Sequence, residues 1–293
     1  MSTPAGPLDR ADVGGRSGLR VLGPPDLPAL LDLVATDPVT HVFADYRARL
    51  TRLDPRWLGG EMWGWYDDAG RLTSACHAAA NLVPVAATPS ALDAFAARAL
   101  SRGRRCSTIV GPRAEVEALW ERLAPVWGTP RETRWDQPHL RIAGPPRVPA
   151  DPGVRRTRPD QIGVLYPACV AMYTEEVGVS PEAGGGGDLY RARVSQLIAR
   201  GWSFARIEDG RVVFKAEIAA ATPHACQVQG VWVAPDRRGE GLAAAGMAAV
   251  VEAARAEIAP VVSLYVNAHN VAARRTYERV GFGPAGVFAT IMF

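Results

Sequence analysis

The chain has 293 residues, 33 of them basic and 30 acidic, giving a formal net charge of +3, and 48% are hydrophobic. A balance this close to neutral, with basic residues spread along the chain, excludes a nucleic-acid footprint, and the length leaves room for two domains with a core each. No apolar run approaches the roughly 18 residues that span a membrane. Cys76, Cys106, Cys169 and Cys226 lie too far apart, with no histidine at ligand spacing, for a zinc site or a disulfide framework.

In chain order, the first 18 residues are rich in Gly, Pro and Ser, lack the apolar segment of a signal peptide, and read as a disordered tail of a cytoplasmic protein. Almost every basic residue is Arg, with Lys215 the single Lys, which points to a GC-rich coding genome. Residues 19–142 form an N-terminal half with a strand, acidic-Gly turn and strand around 61–71, a strand at 107–110 and a helix through 120–123. Residues 143–153 hold four prolines and two glycines, which neither a helix interior nor a central strand tolerates, and they read as a domain linker.

Residues 154–293 form the second half. Its pattern predicts a strand at 154–157, a helix at 159–176, a loop through the four glycines at 184–187, and a helix at 188–200. Strands at 202–208, 211–221 and 225–234 follow, then a helix at 239–257, a strand at 261–266, a helix at 270–280 and a last strand at 285–293. Strands first and helices between the later strands indicate an α/β fold with a mixed sheet. The two halves repeat: Gly70 and Gly210 close equivalent turns 140 residues apart, and the strand–helix pairs at 107–123 and 263–280 are offset by 156 and 157. The alternative is two unrelated α/β domains.

Within the second half, a β-type stretch runs directly into Arg238, Gly239, Glu240, Gly241, Leu242 and Ala243, which open an Ala-rich helix. Glycines without Cβ let the backbone turn and approach a ligand, while the first unpaired N–H groups of the helix converge outside it. Such a turn suits a pyrophosphate. The alternative is a plain tight β–α connection. The first half has no glycine at the equivalent 85–92, and it carries His77 and Trp120 where the second has Glu217 and Tyr277. The N-terminal half is therefore expected to be degenerate and to shape or cover the substrate site.

The glycine turn, followed by the strand, Asn270 and Tyr277 of 264–282, resembles the two acetyl-coenzyme A motifs of the GCN5-related N-acetyltransferase (GNAT) family. The likeness is close over 230–283 and loose over 154–293. A narrower resemblance, carried by YTEEVGVS at 173–180, FKAE at 214–217 and QGVWVAP at 229–235, is to actinobacterial acetyltransferases with an extra N-terminal domain of unassigned function. The resemblance implies two tandem GNAT-like domains, each a mixed, mostly antiparallel sheet flanked by helices, with acetyl-CoA as co-substrate and no metal. It also implies direct, ternary-complex transfer to a primary amine, on a small molecule or a protein.

By the same resemblance Glu217 is the general base, with an ion pair to Lys215 as its alternative, and Tyr277 is the proton donor, with aromatic packing as its alternative. The backbone of Val231, Trp232 and Val233 supplies the oxyanion N–H, Trp232 itself reading as core. Asn270 bonds the pantetheine arm or simply caps a helix, and Arg238 and Arg274 are phosphate candidates. Tyr173, Glu175 and Glu176, before the four-glycine loop, fall where acceptors are covered in this family, and carboxylates there suit a cationic amine or are merely solvated. A non-catalytic acyl-CoA sensor is the rival reading. Sequence leaves the acceptor and the oligomeric state open.

Overall fold

The computed structural model describes residues 17–293. Sixteen of the 18 residues assigned to a tail lie outside the described residues, and Gly18 already opens a strand. The first half contains β1 (Gly18–Val21), α1 (Leu27–Val34), α2 (Val42–Thr51), α3 (Pro55–Leu58), β2 (Glu61–Tyr66), β3 (Leu72–Ala78) and β4 (Asn81–Val85). It continues through α4 (Pro89–Arg102), β5 (Thr108–Pro112), α5 (Arg113–Trp127) and β6 (Glu132–Ile142). The second contains β7 (Arg155–Arg156), α6 (Ile162–Val177), α7 (Gly187–Ala199), β8 (Ser203–Glu208), β9 (Arg211–Ala221) and β10 (Ala225–Val233). It ends with α8 (Leu242–Glu257), β11 (Val261–Tyr265), α9 (Val271–Val280) and β12 (Gly283–Met292).

Apart from the single turn of α3, the halves present the same element order. All strands join one 12-stranded sheet in the order β1-β2-β3-β4-β5-β12-β6-β11-β10-β9-β8-β7. Among the described residues only β4 with β5 and β10 with β11 run parallel, one pair in each half. The last strands are exchanged: β12 pairs with β5 of the first half, and β6 pairs with β11 of the second. β6 and β12 also pair with each other across the centre, so the N-terminal half reaches into the C-terminal one.

Local chemistry explains the site-bearing elements. β9 is buried along almost its whole length, as a central strand covered on both faces must be. α8 is built largely of Ala, the strongest helix former. It starts at Leu242 rather than at residue 239, because Gly239 and Gly241 take φ of +88° and +84°, outside helical space. Separate clusters of buried side chains lie under α4 and α5, under α1 and α2, around α8 and α9, and between α6 and α7. A fifth cluster, with Val39, Val42 and Tyr46 against Ala220 and Ala225, joins the two halves.

Two buried histidines make acid sensitivity a property of this fold. His77 lies edge-on to Phe43 at 5.5 Å and His139 against Phe288 at 4.4 Å, and neither ring nitrogen of His139 finds a hydrogen-bond partner among the described residues. Burial pushes both imidazoles down to about 4. A folded-state value below the unfolded one means that their stabilising effect is complete above about pH 6.5 and is lost as pH falls towards 4. Half-buried Glu115, pushed up to about 7 by desolvation, works in the opposite sense, so the comparison belongs between variants. From pH 6.5 to 4.5, His77→Leu is expected to lose about 2 kcal/mol less unfolding free energy in urea than the parent chain does. An identical loss in both would contradict the assignment.

Candidate acyl-transfer site

β10 and β11 pair only from Ala225↔Val261 to Gln227↔Ser263, then part. On its other edge β10 carries an extra residue against β9, between Gln229↔Glu217 and Trp232↔Lys215. Gly230 sits in this bulge at φ +60°, where an added Cβ would stand 3.0 Å from Lys215 Nζ and 3.2 Å from Glu217 Cδ. The parted strands open onto a cavity of about 730 Å³, the size of a typical small-ligand site. Its walls come from the end of α6, from β9 and β10, from β11 and the start of α9, and from β6 of the N-terminal half.

The turn that follows β10 is open. A Cβ built on Gly239 or on Gly241 meets nothing within 4 Å, and no side chain caps α8. Its first amides are thus available to an anion, supported by the helix dipole. The equivalent turn of the N-terminal half is closed by its own residues. Pro89 has no N–H to offer, Thr88 caps the amide of Ala91, and the Glu115 carboxylate accepts from the amide of Ala87 at 3.2 Å. That half has no free group of amides to give.

Two of the expected chemical residues share the cavity. Glu217 and Tyr277 both line it and both are buried, at 6% exposure each. The fully buried Lys215 donates to Glu217 Oε2 at 3.2 Å and to the Gly230 carbonyl at 3.0 Å, while Gln229 Nε2 donates to Glu217 Oε1 at 2.9 Å. The Lys215 ion pair weighed as an alternative is therefore present, and both carboxylate oxygens are engaged. Burial works against the lysine charge, yet the adjoining carboxylate raises the ammonium above its ordinary pKa. Tyr277 packs its ring edge-on to Phe282 at 5.8 Å. Its phenol is held above its ordinary range, first by burial and then by the charge of Glu176.

Other expected residues are held by partners within the chain. Arg238, read as a phosphate ligand, donates to Glu175 Oε2 at 2.6 Å and to the Val233 carbonyl at 3.1 Å. Glu175, read as an acceptor-site carboxylate, also accepts from Trp232 Nε1 at 3.1 Å; Trp232, read as core, packs half-buried against the cluster between α6 and α7 and lines the cavity as well. Glu240 turns its carboxylate to Arg237 at 2.8 Å, leaving only main chain to the glycine turn. The Asn270 side chain caps α9 at Ala273 N, 3.1 Å, while also lining the cavity, and Arg274 donates to the Ala268 carbonyl at 3.1 Å. Tyr173 stands edge-on to Tyr190 at 5.4 Å on the same wall.

The wall contributed by β6 has no counterpart in the sequence reading. Arg134 donates to the Glu176 carbonyl at 2.8 Å and pairs with Glu132 at 2.6 Å, and Arg131 donates to the Val177 carbonyl at 3.1 Å. Two cations thus sit on the last carbonyls of α6, where the helix dipole favours them, and fix the turn that bears Glu175 and Glu176. Gln137 donates to Asn267 Oδ1 at 2.9 Å and accepts from the Thr290 hydroxyl at 2.6 Å, tying β6 to β12 and to the loop before Asn270. The only advance signal was the repeat itself, which suggested that the first half shapes the site.

Residues 190–282 match the family model described as Acetyltransferase (GNAT) family, and residues 60–165 match a domain of unknown function, DUF4081. The chain is similar in structure to a GCN5-related N-acetyltransferase from Sphaerobacter thermophilus, with 20% identity, 95% of this chain and 96% of that one covered, and a TM-score of 0.58. It is similar to a tandem GNAT protein from the clavulanic acid biosynthesis pathway, at 15% identity, with 94% and 98% covered and a TM-score of 0.54. A GNAT-family acetyltransferase from Colwellia psychrerythraea gives 14% identity, 94% and 99% covered and a TM-score of 0.55. No curated protein matches. At these identities the structural likeness is one of fold, an α/β GNAT-like fold in tandem, and the C-terminal half carries a GNAT acetyltransferase domain. No helix among the described residues is long and apolar enough to cross a membrane.

Proposed function

We propose that the chain is an acetyl-CoA-dependent N-acetyltransferase acting in the cytoplasm. In this reading residues 154–293 carry the chemistry, 19–142 are a degenerate partner, and 143–153 link them. The observation that carries it is the open, uncapped start of α8 beside the parted strands β10 and β11, leading into a cavity that holds Glu217 and Tyr277. The main chain of Gly239 to Ala243 would hold the diphosphate, with Arg238 able to leave Glu175 for a phosphate oxygen. Asn270 and the β10 edge would hold the pantetheine arm, and bound acetyl-CoA supplies the thioester that is attacked.

The residues present answer the three needs of thioester aminolysis. A lysine-like amine costs about 4.6 kcal/mol to deprotonate at pH 7. Glu217 can accept that proton through a water or after releasing Gln229, and its carboxylate first attracts the cationic form of the amine. A main-chain N–H of Val231 to Val233, freed where β10 leaves β11, faces the developing oxyanion, a type of donor worth about 2.7–4 kcal/mol. The protonated Tyr277 phenol gives its proton to the departing sulfur. Glu176 on the cavity wall, joined by Glu175 once Arg238 has turned to a phosphate, suits a primary amine that arrives charged.

Thiol release from acetyl-CoA, followed with a panel of polyamines, amino acids, aminoglycosides and lysine peptides, tests this reading. The expected result is acceptor-dependent release that disappears in Gly241→Val, whose side chain is strained at positive φ and intrudes on the diphosphate. Tight acetyl-CoA binding with no release for any amine would favour an acyl-CoA sensor, a role for which the engaged oxygens of Glu217 also suffice.

A further inference from the structure

The N-terminal half has a cavity of its own. About 300 Å³ in volume, it is bounded by the start of β2, the end of β3, the start of β4, the end of α4 and the residues before β5. These are the ends at which β4 and β5 are paired, through Asn81↔Thr108 and Leu82↔Ile109. The parting that makes the acyl site in the C-terminal half lies at the opposite ends of the corresponding strands. The cavity is thus not the remnant of an acyl-CoA site.

Its lining is chemically lopsided. Trp63 and Trp127 supply two indoles, and Leu82 with the successive alanines 78–80 completes an apolar wall hollowed by small side chains. Glu61, its one carboxylate, is already satisfied, accepting from Arg98 at 2.9 Å and from Trp63 Nε1 at 2.6 Å and pairing with Arg102 at 3.0 Å. Arg105, also on the lining, is exposed and makes no hydrogen bond or ion pair among the described residues. Flat apolar walls beside an uncommitted guanidinium suit a small molecule with a ring at one end and an anion at the other.

We propose that this cavity binds a small aromatic carboxylic acid, its ring against Trp127 and the alanines 78–80 and its carboxylate on Arg105 beside Arg102. The site lies almost wholly within residues 60–165, the segment matching the domain of unknown function. It gives that half a ligand of its own, independent of acetyl transfer.

The test titrates the full chain with phenylacetate, phenylacetamide and phenethylamine, following tryptophan fluorescence and heat. Phenylacetate is expected to saturate below about 1 mM, with the amide, the amine and the Arg105→Gln chain each at least about 10-fold weaker. Arg105 is exposed, so the variant keeps its fold, and circular dichroism checks this. Saturating coenzyme A is expected to leave phenylacetate binding unchanged. No saturation by about 10 mM, equal binding of acid and amide, an unaffected Arg105→Gln chain, or displacement by coenzyme A would each overturn the proposal.

Discussion

Tyr277→Phe is expected to lower turnover by about 10²–10⁴-fold while leaving the affinity for acetyl-CoA unchanged. The substitution is informative because of what it leaves in place. The ring keeps its edge-on contact with Phe282 and stays buried at the wall of the cavity. The hydroxyl makes no hydrogen bond among the described residues, so its removal orphans no partner and thermal stability should not change. Burial holds the phenol above its ordinary pKa, so at neutral pH the group is a proton donor and not a base. Steady-state kinetics with an amine that supports thiol release measure the effect. Full activity in the phenylalanine variant would remove Tyr277 from the chemistry and return it to packing.

The second large effect is on stability. Lys215→Ala is expected to destabilise the chain by about 3–5 kcal/mol, because it strands the Glu217 carboxylate in the interior. Lys215 is fully buried, and its ammonium holds both Glu217 and the Gly230 carbonyl across the β10 bulge. The double substitution Lys215→Met with Glu217→Gln removes both charges and should recover most of the loss, since Gln229 can still bond the new amide. Urea unfolding of the parent, single and double variants measures this. A lysine variant within about 1 kcal/mol of the parent would mean that the pair is compensated elsewhere. Because Lys215 also fixes the bulge, the single variant should lose thiol release as well.

The parts of this molecule written in local sequence could be read in advance. The glycine turn is specified by Gly239, Gly241 and the Ala-rich run behind them, and the element order of the second half by the alternation of strand and helix patterns. Lys215 and Glu217 stand two apart on one strand, so both the catalytic and the ion-pair reading were visible, and only packing could show that the pair forms. The exchange of β6 and β12 was not visible. Each strand has the same alternation whichever neighbour it takes, and the choice of β11 or β5 rests on contacts more than a hundred residues apart in sequence.

The same distance hid the partners of single side chains. Arg238 meets Glu175 across 63 positions, and Arg134 meets the carbonyl of Glu176 across 42. A motif marks Arg238 as a phosphate ligand but cannot reveal that a carboxylate holds it in the structure. Nor does any local pattern announce that Glu132, Arg134 and Gln137 of the first half wall the cavity of the second. The closure of the N-terminal turn was half legible: the missing glycines were plain, but Glu115 folding back onto the amide of Ala87 was not.

The account rests on the turn between β10 and α8 as the grip for a nucleotide diphosphate. A crystal structure of the chain with acetyl-CoA tests it most directly. The predicted result places the diphosphate oxygens within hydrogen-bonding distance of the main-chain amides of Gly239 to Ala243, Arg238 turned from Glu175, and the thioester between Glu217 and Tyr277. A bound nucleotide lying elsewhere, with that turn vacant and Arg238 still on Glu175, would contradict it.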